Sequence, residues 1–208
     1  MKRLVKVSVF LLGALMILAS LCSCIRIDTP IKKGVISDDR KAYYNESLGI
    51  EVSFKTRNTG FSIQSTQEIQ NLMDGLEFKE ALKKANISYD LYAYNNSNGA
   101  SVTILFENLY RTLGKVVDDA KYLEIAKKNL IDQLPAADMR LVSTNTKEFK
   151  VAGQTLNGLL STIEYKGVYL YEYSIIKRVG SYMAVITLTA PTKQYLETML
   201  NSFSEYKK

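Results

Sequence analysis

"VAGQTLNGLLSTIEYKGVYLYEYSIIKRVGSYMAVITLTAP", residues 151 to 191, decides the fold. "TLNGLLSTIEY" runs into Lys166-Gly167 and resumes as "VYLYEYSIIKRV". That run meets Gly180-Ser181 and resumes as "YMAVITLTA". β-branched and aromatic residues fill all three runs, and each break holds the glycine that a tight hairpin needs. The expectation is a three-strand antiparallel meander. "PTKQYLETMLNSFSEY" then has helical spacing, with Thr192 as N-cap and Leu196, Met199, Leu200 and Phe203 as the buried stripe.

Upstream, strand and helix signals alternate. In "AYYNESLGIEVSF" (42–54) two short strands flank a turn at "NESLG", and Ile50, Val52 and Phe54 alternate with polar residues. "STQEIQNLM" opens with Ser65 three residues before Glu68, the spacing of a capping box. "EFKEALKKA" places Phe78, Ala81 and Leu82 on one helical face. "ISYDLYAY" and "ASVTILFENLY" flank "NNSNG", where Asn98-Gly99 points to a type I′ hairpin. "VVDDAKYLEIAKKNLIDQL" is the clearest helix. Its stripe is Val116, Ala120, Leu123, Ala126, Leu130 and Leu134, and Pro135 ends it. The expected class is α+β: a mostly antiparallel sheet flanked by helices, in one domain spanning 42–208.

The N-terminus reads as an address. Lys2, Arg3 and Lys6 precede an uncharged apolar run from Val7 to Leu21, too short for a span of ~20 residues and suited to a signal peptide. The run ends in "LCSC", which resembles a bacterial lipobox. Leu21 stands at −3, small Ser23 at −1 and Cys24 at +1. By that resemblance residues 1–23 are removed and Cys24 takes a diacylglyceryl group, joined by further acyl chains such as palmitate. Two or more chains hold a protein on a bilayer firmly. Residues 24–41 read as a lipidated tether with mixed charge. The domain would then face the extracytoplasmic side of the cell membrane. Ile25 is not the aspartate associated with inner-membrane retention, so an outer-membrane destination stays open.

Composition narrows the chemistry. The 208 residues include no histidine and no tryptophan. The commonest general base and metal ligand is therefore missing. Three of the 27 basic residues lie within residues 1–23, leaving 24 against 21 acidic residues, too even for a nucleic-acid surface. No nucleophile elbow or phosphate-binding loop occurs. Asp118-Asp119 reads as helix capping, and Asp38-Asp39 lies in the tether without further ligands. Glu51, Glu107, Glu164 and Glu172 fall on expected strands, so a two-carboxylate hydrolase of envelope carbohydrate or peptide is one alternative. A carrier with a deep apolar pocket is another. No metal or other cofactor is expected. The best surface candidate is aromatic. Tyr169, Tyr171 and Tyr173 share one strand face, and Tyr165 precedes them across the turn. Two readings stand: an exposed ladder for a protein partner, or core side chains under helices.

The order of elements resembles the PsbP-like, or Mog-like, α/β/α sandwich. The opening "YYNESLGIEVSF", the helix "DDAKYLEIAKKNL" and the closing meander with its helix carry the likeness, over about residues 42–206. Relatives often show P-x-x-W after the second strand, where this chain reads "KTRNTGF". The resemblance implies a non-catalytic binding or accessory module in the cell envelope. Its members mostly bind other proteins, among them an accessory subunit of photosystem II and a partner of the Ran GTPase.

Overall fold

A computed structural model describes residues 31–55, 60–65, 68–69 and 87–207. The expected signal peptide, Cys24 and most of the two helices expected at 65–85 lie outside the described residues. The capping box is inside them: Ser65 N–H donates to Glu68 Oε2 (2.6 Å) and Glu68 N–H to Ser65 Oγ (3.2 Å). Those bonds, with Arg40 beside them, hold the Glu68 carboxyl down at about 2.

The strands are β1 (Val35–Ile36), β2 (Ala42–Asn45), β3 (Ile50–Ser53), β4 (Phe61–Ile63), β5 (Ser88–Asn95) and β6 (Ser101–Asn108). After two helices come β7 (Met139–Val151), β8 (Gln154–Tyr165), β9 (Val168–Val179), β10 (Tyr182–Ala190) and, last, β11 (Phe203–Glu205). The helices are α1 (Leu109–Leu113), α2 (Asp119–Gln133) and α3 (Lys193–Leu200). A 3₁₀ turn at Leu134–Ala137 follows α2 and contains Pro135. Among the described residues every strand pairing is antiparallel, so the class is α+β. One sheet has seven strands in the order β4-β5-β6-β10-β9-β8-β7, and a smaller sheet has the order β1-β2-β3-β11.

The meander exists and is one strand longer than expected. β7 is the addition. Three two-residue turns close it. Ala152-Gly153 (φ 50° and 78°) and Lys166-Gly167 (φ 51° and 79°) are left-handed at both positions, and Gly180 (φ 62°) is left-handed at the first alone. These are the turns whose twist matches paired strands. Within β8, a Cβ on Gly158 would lie 2.4 Å from the Ser174 carbonyl oxygen and 3.0 Å from the Phe149 ring. The missing side chain lets Phe149 lie across β8 and reach Tyr173, with ring centroids 4.7 Å apart.

The large sheet buries both faces. One face meets the small sheet and α3 through Ile50, Val52, Val102, Ile104, Ile186 and Leu188, among others. The opposite face meets α2 through Leu105, Tyr122, Leu123, Ala126, Leu130 and Val185. Asp118 caps α2, accepting from Lys121 N–H at 2.8 Å, as the sequence implies.

Four expectations need correction. α2 begins after Val116, and Ala120 is exposed, so its stripe is Tyr122, Leu123, Ala126 and Leu130. The loop before β6 has positive φ only at Gly99, so it is not type I′. The last helix ends at Leu200, and Phe203 is a strand residue opposite Val52. The domain also starts before Ala42. Val35 and Ile36 pair with Tyr44 and Tyr43, and Gly34 N–H donates to both Asp90 carboxylate oxygens at 3.1 and 2.9 Å. Asp90 occupies the β-bulge of β5. There it also accepts from Tyr43 O–H and from Asn45 Nδ2 (2.8 Å). Residues 34–41, read above as tether, belong to the folded domain.

Candidate functional site

β9 places tyrosines at 169, 171 and 173 on the face that α3 covers, because side chains alternate along a strand. α3 covers them unequally. Tyr173 is buried, its O–H donating to Glu197, and burial followed by the nearby Glu197 charge pushes its phenol well above the ordinary range. Tyr171 is half-buried, with Lys193 Nζ 5.5 Å from its ring centroid. Tyr169 is 50% exposed. The ladder is therefore core at its Tyr173 end and exposed at its Tyr169 end.

Tyr165 does not join them. The two-residue turn sets Tyr165 opposite Val168, so it shares the α2 face, where it, Leu141 and Leu170 each pack against the core cluster beneath α2. Lys166 Nζ stands 5.2 Å from its ring.

β7 and β8 extend the tyrosine face into a platform. Register gives the rows Arg140–Glu164–Tyr169, Ser143–Thr162–Tyr171 and Asn145–Leu160–Tyr173. The β7 members are exposed and the β8 members half-buried. The sequence reading missed Ser143, Asn145, Thr162 and Leu160 as surface candidates because it missed β7. The platform combines aromatic bodies with hydroxyl, amide and cationic groups. Its carboxylates are already engaged: Glu164 pairs with Arg140, and Glu197 lies 3.7 Å from Lys147. These pairs are largely exposed and contribute little to stability.

The four candidate carboxylates are dispersed. Glu51 is on the small sheet and Glu164 on the platform. Glu107 and Glu172 share the α2 face, but they sit opposite Met183 and Thr189 of β10. Six residues of strand separate those positions, or ~20 Å. Both are buried, and desolvation pushes each up to about 7 against the opposing pull of hydroxyl donors. Tyr122 O–H donates to Glu107 (2.6 Å), while Ser174 (2.8 Å) and Thr189 (3.3 Å) donate to Glu172. Asp39 closes a turn with Ser37 and Lys41 and pairs with Lys55 at 3.0 Å. Among the described residues no group of three or more His, Cys, Asp or Glu could hold a metal ion, and no helix is long and apolar enough to cross a membrane.

No family model matches the chain, and no curated protein matches it. Among solved structures it is similar to cyanobacterial PsbP (CyanoP) from Synechocystis sp. PCC 6803, with 13% identity and a TM-score of 0.47. That likeness covers 89% of this chain and 99% of the other. It is also similar to a protein of unknown function, PA94 from Pseudomonas aeruginosa, at 17% identity and a TM-score of 0.34, over 54% of this chain and 71% of that one.

Proposed function

We propose that this chain is a lipid-anchored, extracytoplasmic binding module of the bacterial cell envelope, held through Cys24 and engaging a partner protein with the platform of β7, β8 and β9. We read the domain as a PsbP-like, Mog-like sandwich, with α2 and α3 on opposite faces of the large sheet. The observation that carries the binding role is the uncovered end of the β9 ladder. Tyr169 is half exposed and Tyr171 is only partly covered, beside Thr162, Ser143 and Lys193. Tyrosine offers large contact area at low entropic cost, which favours such positions in interfaces.

The carboxylate spacing supports the non-catalytic reading. Two-carboxylate hydrolysis needs groups within about 9.5 Å. Glu107 and Glu172, at ~20 Å along the sheet, are too far apart and too deeply buried for that. The "LCSC" motif at the end of the apolar run supports the anchor.

Photo-crosslinking in intact cells tests the platform. A benzophenone side chain at position 169 should yield a discrete adduct that the same group at Lys127, on the exposed side of α2, does not. Identical products at both positions would sink the platform. Palmitate labelling tests the anchor: Cys22→Ala keeps the label and Cys24→Ala loses it.

A further inference from the structure

Only nine residues, 25–33, separate Cys24 from Gly34, whose N–H is held by Asp90. A chain of that length reaches at most ~35 Å when fully extended. The domain surface that meets it is a pair of adjoining open grooves. Lys32, Lys33, Val35, Tyr44, Glu46 and Tyr206 line the larger, of about 620 Å³. The smaller, of about 360 Å³, lies between Ile31 and Lys32 and the β9–β10 turn at Val179–Tyr182.

The chemistry of this end differs from that of the platform. Val35 is 64% exposed, the largest value among the exposed large hydrophobic side chains of the described residues. Tyr44 and Tyr206 face each other with ring centroids 6.1 Å apart. Lys32 and Lys33 flank them, and Lys207 follows Tyr206. Lys32 and Lys33 outnumber Glu46 along the lining of the larger groove, Glu51 stands opposite Tyr44 in register, and Lys32 reaches Glu46 only at 3.4 Å in a solvent-exposed pair. Amphipathic tyrosines ringed by lysines suit the headgroup layer of a bilayer, where an apolar body and a polar tip are both accommodated.

We propose that this end of the domain docks on an anionic bilayer surface, with Val35, Tyr44 and Tyr206 at headgroup depth and Lys32 and Lys33 on lipid phosphates. The proposal rests on the Cys24 anchor read above, and it orients the module. Val179 borders the docked groove, and Val168 begins the same strand eleven residues earlier. β9 therefore carries Tyr169, ten residues from Val179, as much as ~33 Å from the membrane end. The platform lies at the far end of the large sheet from the docked groove.

The chain lacks tryptophan, so single substitutions supply a clean probe. The full lipidated chain is placed in vesicles of equal parts phosphatidylcholine and phosphatidylglycerol that contain lipids brominated near the headgroup. Emission from Val35→Trp and from Tyr206→Trp should be blue-shifted and quenched, and emission from Tyr169→Trp should not. Lys32→Gln and Lys33→Gln should each lower the docked-to-undocked ratio about fivefold, matching ~1 kcal/mol for each surface lysine. Emission at 35 and 206 that matches emission at 169 overturns the proposal. So does quenching that ignores both lysines and persists on pure phosphatidylcholine. A Cys24→Ala chain that is still cleaved before residue 24 and stays on the vesicles breaks the lipobox reading alone, and quenching at position 35 still decides the docking.

Discussion

β10 shows its two sides plainly. Toward α3 and the small sheet it presents Ala184, Ile186, Leu188 and Ala190. Toward α2 it presents Met183, Val185, Thr187 and Thr189. The polar end of the second face extends across the sheet. One row reads Thr144, Ser161, Glu172, Thr189, Ser101 and Tyr94, with no aliphatic side chain on any of six strands. Glu172 takes hydroxyl donors from Ser174 and Thr189, and Ser161 donates to Thr144 at 3.0 Å. Thr187 Oγ1 is buried with no hydrogen-bond partner among the described residues. The two faces thus do different work. The apolar face stabilises the sheet and fixes its register, because a one-residue slip would exchange them. The laced face loses part of that gain to desolvation.

The largest effect should come from truncating the apolar face. Phe106→Ala removes a fully buried ring and should cost about 3–5 kcal/mol in chemical denaturation. A loss below about 1 kcal/mol would mean that this face is not the main source of stability.

The next effect belongs to pH. Glu107 and Glu172 rise from 4.5 to about 7 in the fold. The native state therefore holds protons that the unfolded chain releases. Their stabilising contribution is complete below about 4.5 and is lost as pH rises through about 7. The protein should be more stable at pH 5 than at pH 8, by at most about 3 kcal/mol for each group. Glu172→Gln should remove about half of the slope. A flat profile between those pH values would show both carboxyls to be charged and well solvated in the fold.

Asp90→Ala should cost about 2 kcal/mol, since it strips the acceptor from Gly34 N–H, Tyr43 O–H and Asn45 Nδ2. Amide exchange of Gly34 should accelerate in the same variant. The smallest change is Thr187→Val. Replacing an unpartnered hydroxyl with a methyl of like shape should shift stability by no more than about 1 kcal/mol, toward greater stability. A clear loss would mean that the Oγ1 has a partner.

The sequence made the apolar face and the hairpin turns legible, because both are local. Period-2 alternation marks β9 and β10, and glycine marks two of their turns. β7 escaped because "MRLVSTNTKEFKV" lies at the sheet edge with most side chains in solvent. Its apolar residues are too few to show a period. Phe203 escaped for the opposite reason. It continues the α3 spacing, and only its distant partner Val52 makes it a strand residue. Of the candidate site, Tyr169, Tyr171 and Tyr173 followed from alternation alone. Tyr165 was misplaced because counting through a two-residue turn inverts the face. Glu172 was visible as a strand carboxylate, but its burial was not. The Asp90 latch had no local signal, since it joins residues far apart in the chain.

The tight turns between β7 and β10 have a consequence for the order of events in folding. Within the meander each strand pairs with its chain neighbour, so each hairpin closes a short loop at small entropic cost. β6 must instead wait for β10, since Asn108 pairs with Tyr182 far downstream. A ribosome delivers the N-terminal half first, and that half holds half a sheet with an unpaired edge. β5 and β6 close a local hairpin of their own, so β10 is the strand whose arrival joins two locally paired halves of the large sheet.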